Sequence, residues 1–209
     1  MRKNIIHSLI ALPLIAGAFV SCGSSEEKNP PGECRVELVF PERLSGLKSG
    51  HFCLLDRHYA LFDHPLTDTV FTLPADSTKC YAIMWEYPGC RASGDRLFIQ
   101  FVPEECGVTV NFDDGSVSGG PVNEQLKSFM RSFEKAVEDG DDGYARDICA
   151  SEFKSHPDNA VGMQALYMCC GTYPAKELKK FIRDANTSRA RRKEILNDEI
   201  IKSVLSEKH

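Results

Sequence analysis

The chain changes its hydrophobic period once. Over residues 34–117 the apolar residues alternate or come in short runs broken by turn residues. Cys34-Arg35-Val36-Glu37-Leu38-Val39-Phe40 alternates, and a Pro-Glu-Arg-Leu-Ser-Gly stretch follows. His51–Leu55 and Tyr59–Phe62 are short strand candidates around Asp56-Arg57, and Thr69–Leu73 alternates again. Cys80–Tyr87 is nearly all apolar up to Pro88-Gly89, the signature of a strand covered on both faces. Arg96–Val102 and Val108–Phe112 close the series. Strands with turn signals between them predict an antiparallel β-sandwich or partly open barrel of about seven strands.

From Pro121 the spacing becomes helical. Asn123 stands where an N-cap would, ahead of Leu126, Phe129, Met130, Phe133 and Val137, and Asp139-Gly140 ends the run. Tyr144, Ile148, Cys149 and Phe153 carry a second helix, stopped by His156-Pro157. Asp158 or Asn159 caps a third, with Val161, Ala165, Leu166 and Met168 on one side. A fourth spans Ala175–Ala185 with Leu178, Phe181 and Ile182 inward. A fifth spans Ser188–Glu207, with Ile195, Ile200, Val204 and Leu205 as a thin stripe. The expected class is α+β: a β domain over 34–120 and a bundle of about five helices over 121–209.

Ahead of both lies a segment of another kind. Arg2 and Lys3 precede an apolar run from Ile5 to Val20, and Phe19-Val20-Ser21-Cys22 ends it. A basic start, a short apolar stretch and small residues before the cut make an export signal. A cysteine directly after the small residue resembles a bacterial lipobox, with Phe19 departing from its usual Leu, Val or Ile. Residues 1–21 are therefore read as a lipoprotein signal peptide and Cys22 as the lipidated residue. The run is short of the ~20 apolar residues of a membrane-spanning helix. Residues 22–33, with Ser24-Ser25-Glu26-Glu27 and Pro30-Pro31, form a tether too polar to bury a core. The expected location is the cell envelope, lipid-anchored, with the choice between periplasmic face and cell surface open.

The 209 residues carry 25 basic and 30 acidic side chains, a net charge of −5 that becomes −7 once Arg2 and Lys3 leave with the signal. No basic stripe offsets this, which argues against nucleic acid as a partner. Nine cysteines are many for the length. Beside Cys22 they are Cys34, Cys53, Cys80, Cys90, Cys106, Cys149, Cys169 and Cys170, all candidates for disulfide or redox chemistry in an oxidising envelope. Eight thiols allow on the order of a hundred full pairings, so spacing fixes no connectivity. No two stand as Cys-x-x-Cys, the spacing a thioredoxin-type dithiol uses. Cys169 and Cys170 are adjacent and are expected on different faces of one helix, at least one simply buried. No paired short spacing supports zinc. Neither a catalytic constellation nor a cofactor motif is found.

Other polar groupings have bland readings. His51, Cys53, Asp56, His58, Asp63 and His64 crowd together, but strand alternation separates them and no metal is assigned. Ser118-Gly119-Gly120 sits at a helix start and could cradle an anion; a tight sheet-to-helix turn is the favoured reading. Trp85 and Tyr87 are expected in the core, with sugar stacking as the other use for them. Arg189, Arg191, Arg192 and Lys193 are read as a solvated helix face.

Two stretches resemble a known family. Val102-Pro103-Glu104-Glu105-Cys106-Gly107-Val108-Thr109-Val110-Asn111-Phe112 with Val117-Ser118-Gly119-Gly120-Pro121-Val122-Asn123-Glu124-Gln125-Leu126 is one. Phe153–Leu166, with His156-Pro157-Asp158-Asn159-Ala160-Val161-Gly162, is the other. Both are similar to the N-terminal region of Bacteroidetes thioredoxin-like lipoproteins, the domain of unknown function family 4369, over roughly residues 34–185. The resemblance implies a neighbourhood of thiol-disulfide chemistry without supplying an active site, because this chain stops at His209, where the thioredoxin domain of such proteins would begin. The expectation is a non-catalytic envelope interaction module whose partners are the membrane, through its lipid, and a thioredoxin-like domain or other envelope protein. Two alternatives stay open, a truncated or split thiol-disulfide oxidoreductase and a glycan- or small-ligand-binding β module.

Overall fold

A computed structural model describes residues 30–40, 51–55, 61–65, 69–86 and 97–207, with 51–55, 61–65, 84–86 and 97–98 described through their strand pairing. The class is α+β. The strands are β1 (Glu33–Val39), β2 (His51–Leu55), β3 (Leu61–Pro65), β4 (Val70–Pro74), β5 (Tyr81–Glu86), β6 (Leu97–Phe101), β7 (Val108–Asn111) and β8 (Val117–Ser118). They form two four-stranded sheets, ordered β4-β1-β7-β8 and β3-β2-β5-β6, and neither closes on itself among the described residues.

Two sequence expectations need correction here. Among the described residues eight strands stand where about seven were expected, the extra one being the two-residue β8, too short to show a period. The antiparallel rule also fails once: β1 runs parallel to β7, with Val36 beside Val108 and Leu38 beside Val110. Alternation encodes which face of a strand is buried but not which strand lies next to it. A parallel neighbour needs a long connection, and here the whole second sheet intervenes in sequence. The run from Cys80 becomes β5, an inner strand between β2 and β6.

Alternation in β1 sends Cys34, Val36 and Leu38 inward. They join Val108 and Val110 of the same sheet, Ile83, Ile99 and Phe101 of the other, and Phe112 in one apolar cluster. Phe40 stacks on Phe112 with ring centroids 4.7 Å apart.

Six helices follow among the described residues: α1 (Pro121–Glu138), α2 (Asp142–Ser155), α3 (Ala160–Cys170), α4 (Ala175–Arg183), α5 (Arg189–Asn197) and α6 (Glu199–Glu207). The expected fifth helix is two. At Asp198 the backbone turns extended, and its carboxylate accepts from the amides of Ile200 and Ile201 while also accepting from the Tyr167 hydroxyl at 2.8 Å. The break resets the phase, so Ile201 is buried and Ile200, expected inward, is 40% exposed. Val137 and Tyr144 were also expected inward and are exposed; the small Ala136 and Ala145 take the buried places beside them, because α1 and α2 cross closely there.

α3 lies in the middle of the helical half. Its residues Val161, Ala165 and Cys169 pack with Leu126, Phe129, Cys149 and Val102, the last contributed by the end of β6. Met163, Leu166 and Cys170 face the other way, toward Phe153, Leu178, Ile182, Ile195, Ile201 and Leu205. A helix buried nearly all round needs an apolar sequence on every side, as Ala160–Cys170 has. No helix among the described residues is long and apolar enough to cross a membrane.

Candidate functional site

The densest buried polar structure is the joint between the sheets and α1. Glu104 lies on the segment between β6 and β7 and is only 8% exposed. Its carboxylate accepts from the backbone amides of Val122 and Asn123 at 3.2 and 2.9 Å, and from the Asn123 side-chain amide at 3.0 Å. Asn123, also buried, turns its side chain back to the end of β6. Its Oδ1 accepts from the Val102 amide, and its Nδ2 donates to the carbonyls of Val102 and Gly119, all at 2.8 Å. Asn123 is therefore not the N-cap that its place in the sequence suggested. Gly120 occupies the cap position without a side chain to offer, Pro121 opens the helix, and the exposed amides of the first turn are met by a carboxylate from the β half.

This also explains the glycine turn. Gly119 and Gly120 have φ of 113° and 83°, where side-chain-bearing residues rarely go. A Cβ on Gly119 would lie 2.1 Å from the Gly107 carbonyl oxygen, and one on Gly120 would overlap the Glu104 carboxylate at 2.3 Å. The turn does cradle an anion at a helix N-terminus, and the anion is the protein's own.

A second polar cluster lies between α1, α2 and α3. Glu152 accepts from the Gln125 amide and meets His156 Nδ1 at 3.0 Å. Gln125 Oε1 accepts from Asn159 Nδ2 at 2.8 Å, and Asn159 Oδ1 accepts from the Gly162 amide at 3.0 Å. Asn159, not Asp158, is thus the cap of α3. Pro157 forces the residue before it out of helical geometry, and His156 has φ −135° and ψ 52°. The loop then runs so close to α3 that only a glycine fits at 162. Both stretches carrying the family resemblance therefore map onto joints between secondary-structure elements.

The cysteines show a consistent electrostatic pattern. None of Cys34, Cys80, Cys106, Cys149, Cys169 and Cys170 is in a disulfide. Burial pushes Cys34 and Cys149 up to about 11, and Cys80 and Cys169 up to about 12. Cys106 is also raised, by partial burial and then by the Glu104 charge. Attack on a disulfide needs a thiolate, so Cys34, Cys80, Cys149 and Cys169 are not set up as nucleophiles near neutral pH, and the exposed Cys106 has nothing that activates it as a catalytic one. Cys169 and Cys170 enter different clusters, both buried, as adjacent residues of one helix should.

A pH dependence follows. Below pH 9 these thiols are protonated in both folded and unfolded chains. Above it the unfolded chain ionises near the ordinary value of 9.0 while the folded one holds its protons to about 11 or 12. Unfolding then releases protons, so stability is full below pH 9 and falls as the pH climbs from 9 toward 12. Urea titrations across that range are expected to show the fall. Cys169→Ala lowers overall stability yet flattens its slope between about pH 9 and 11; an unchanged slope would show that burial of this thiol is not the cause.

Other candidates fall as follows. The side chains of His51, Cys53, Asp63, His64 and Trp85, and residues Cys22, Asp56, His58, Tyr87 and Cys90, lie outside those described. No cluster of metal-binding residues occurs among the described residues. The basic cluster is not wholly a solvated face. Arg192 donates to the Thr187 carbonyl at 2.8 Å, and Arg191, with a side chain only 18% exposed, donates to the Pro157 carbonyl and pairs with Glu194 at 3.2 Å. With the Thr187–Asp158 hydrogen bond, these fasten the α4–α5 connection to the loop before α3. Arg191 also borders a cavity of about 340 Å³ with Met163, Ile195 and Asp198. Reading the sequence missed Glu104, whose partners are distant in the chain, and Asp198, which joins the local amides of Ile200 and Ile201 to the distant Tyr167 hydroxyl. No family model, curated protein or solved structure matches this chain.

Proposed function

We propose that the chain is an exported lipoprotein, anchored in the cell envelope through Cys22, that acts as a non-catalytic interaction module beside thiol-disulfide systems. Anchoring is supported by the segment from Arg2 to Cys22. The non-catalytic reading is supported chiefly by the fate of the polar residues in the family-like stretches. Glu104 and Asn123 spend their hydrogen-bonding capacity on one another and on the backbone, so the segment reads as a joint and not as a place for substrate. The raised thiols agree with this. We take the two sheets, which share one apolar cluster, as a β-sandwich that presents the module, with the helical half bolted to its end.

Labelled palmitate is expected to enter the full chain and not its Cys22→Ala variant. Incorporation in both would overturn the anchoring. The purified lipoprotein is expected to leave insulin disulfides intact in the presence of a dithiol reductant beyond the background rate. Turnover abolished by a single Cys→Ser change would replace the module reading with that of a truncated oxidoreductase.

A further inference from the structure

Among the described thiols, one pair joins an accessible cysteine to a buried neighbour at a joint of the fold. In the parallel ladder, Val36 stands beside Val108. Two residues earlier on each segment stand Cys34, on β1, and Cys106, on the turn that leads into β7. A disulfide needs the two Cα atoms within roughly 4.4–6.8 Å of each other, and Cys34 lies near enough to Cys106 to feel its charge. Two further contacts hold the segments together. The Gly32 amide donates to Glu105 Oε1 at 3.2 Å, and the Cys34 sulfur also hydrogen-bonds the backbone at Glu104. Cys106 sits on the tight turn from Glu104 to Gly107, closed by a 2.9 Å hydrogen bond, with its thiol exposed while that of Cys34 is buried.

We infer that Cys34 and Cys106 form a disulfide when the protein meets an oxidising thiol-disulfide donor, stapling the first strand to the turn that carries Glu104. The exchange balances in two steps. The Cys106 thiolate attacks one sulfur of a donor disulfide, such as oxidised glutathione, and releases one thiolate. Cys34 then gives up its proton and attacks the Cys106 sulfur, expelling the second thiolate. The two protein thiols are oxidised, one donor disulfide is reduced to two thiols, and the two protons go to those thiols. No other described pair combines exposure with such placement: Cys149 and Cys169 are neighbours but both lie fully inside the helical core.

The position has a consequence that rests on the anchored reading. The tether leads directly into β1, so any pull between protein and membrane enters the fold there. A bond from Cys34 to Cys106 passes that load to the joint between the two halves and not to the hydrogen bonds of a single strand.

The test uses the full chain purified in detergent, reduced, and then equilibrated with oxidised glutathione. Trypsin leaves Cys34 in peptide 29–35 and Cys106 in peptide 97–127, each with no other cysteine. The expected product is these two peptides linked, with the mass of two hydrogens lost, and a melting temperature raised by roughly 10 °C that returns on reduction. Cys106→Ser, at an exposed position, should keep the melting temperature of the reduced wild type and lose the rise. A stable glutathione adduct on Cys106 with Cys34 still free would overturn the inference, as would a link from either residue to Cys53 or Cys90. These outcomes do not depend on Cys22, so failure of the disulfide and failure of the anchor are read separately.

Discussion

Glu104→Ala is expected to lower the unfolding free energy by about 3–5 kcal/mol and the melting temperature by roughly 10 °C. The carboxylate answers two backbone amides at the start of α1 and the side chain of a buried asparagine. Hydrogen bonds to a charged group are worth about 1.5–3 kcal/mol each, and the donors left behind are shut away from water. The three bonds share one acceptor group, so their loss is less than the sum. Glu104→Gln keeps the shape but turns an NH₂ toward N–H donors, so it should recover only part of the loss. Glu105→Ala next door removes one exposed bond to Gly32 and should cost under about 1 kcal/mol. Urea unfolding followed by circular dichroism and by fluorescence reads all three. If the joint carries the connection between the halves, Glu104→Ala also separates the two signals into distinct transitions. A Glu104→Ala variant within about 1 kcal/mol of wild type would show that the packing of Val102 and Leu126 holds the joint unaided.

What could be read from the sequence follows the range of the cause. The inward set of β1 was legible because alternation is local, and Cys34, Val36 and Leu38 do point to the core. The helix stop at His156-Pro157 and the end of α1 at Asp139-Gly140 were legible for the same reason, since proline and glycine act on their own backbone. The glycine turn at 119–120 was legible as a turn and as an anion cradle of lower standing, but its anion was not legible, because Glu104 comes from before β7. Asp198 was unreadable in the same way. Among Glu194, Asp198 and Glu199 it looks like one more solvated acid; its bonds to the Ile200 and Ile201 amides are local, but the Tyr167 hydroxyl that it also accepts from lies a whole helix pair away in sequence. The parallel pairing of β1 with β7 has no local mark at all. In each case the missing fact is a partner distant in the chain, and a single sequence records the residue without recording what it will meet.

The two glycines that flank the core of α3 turn this distinction into opposite expected results for one chemical change. Gly162 has ordinary helical surroundings in the sequence, yet a Cβ placed there would stand 1.9 Å from the His156 carbonyl oxygen and 2.7 Å from its carbon. Both atoms are backbone, just before Pro157, whose ring fixes φ, and cannot rotate away. Gly162→Ala must push α3 off the loop, which strains the packing on both sides of that helix and loosens the Asn159 cap at the Gly162 amide. The expected cost is about 3 kcal/mol, from overpacking of about 1–3 kcal/mol and a weakened cap of about 1 kcal/mol. Gly171 ends the same helix with φ −64° and ψ −18°, and a Cβ there meets nothing within 4 Å. Gly171→Ala is expected to stabilise by about 0.4–1 kcal/mol, because alanine reaches the same backbone geometry with less freedom to lose from the unfolded chain. Thermal and urea unfolding of the two variants should move in opposite directions from wild type. If Gly162→Ala is neutral, the loop at His156 yields easily, and the stretch from Phe153 to Leu166 is not the close joint that its geometry describes.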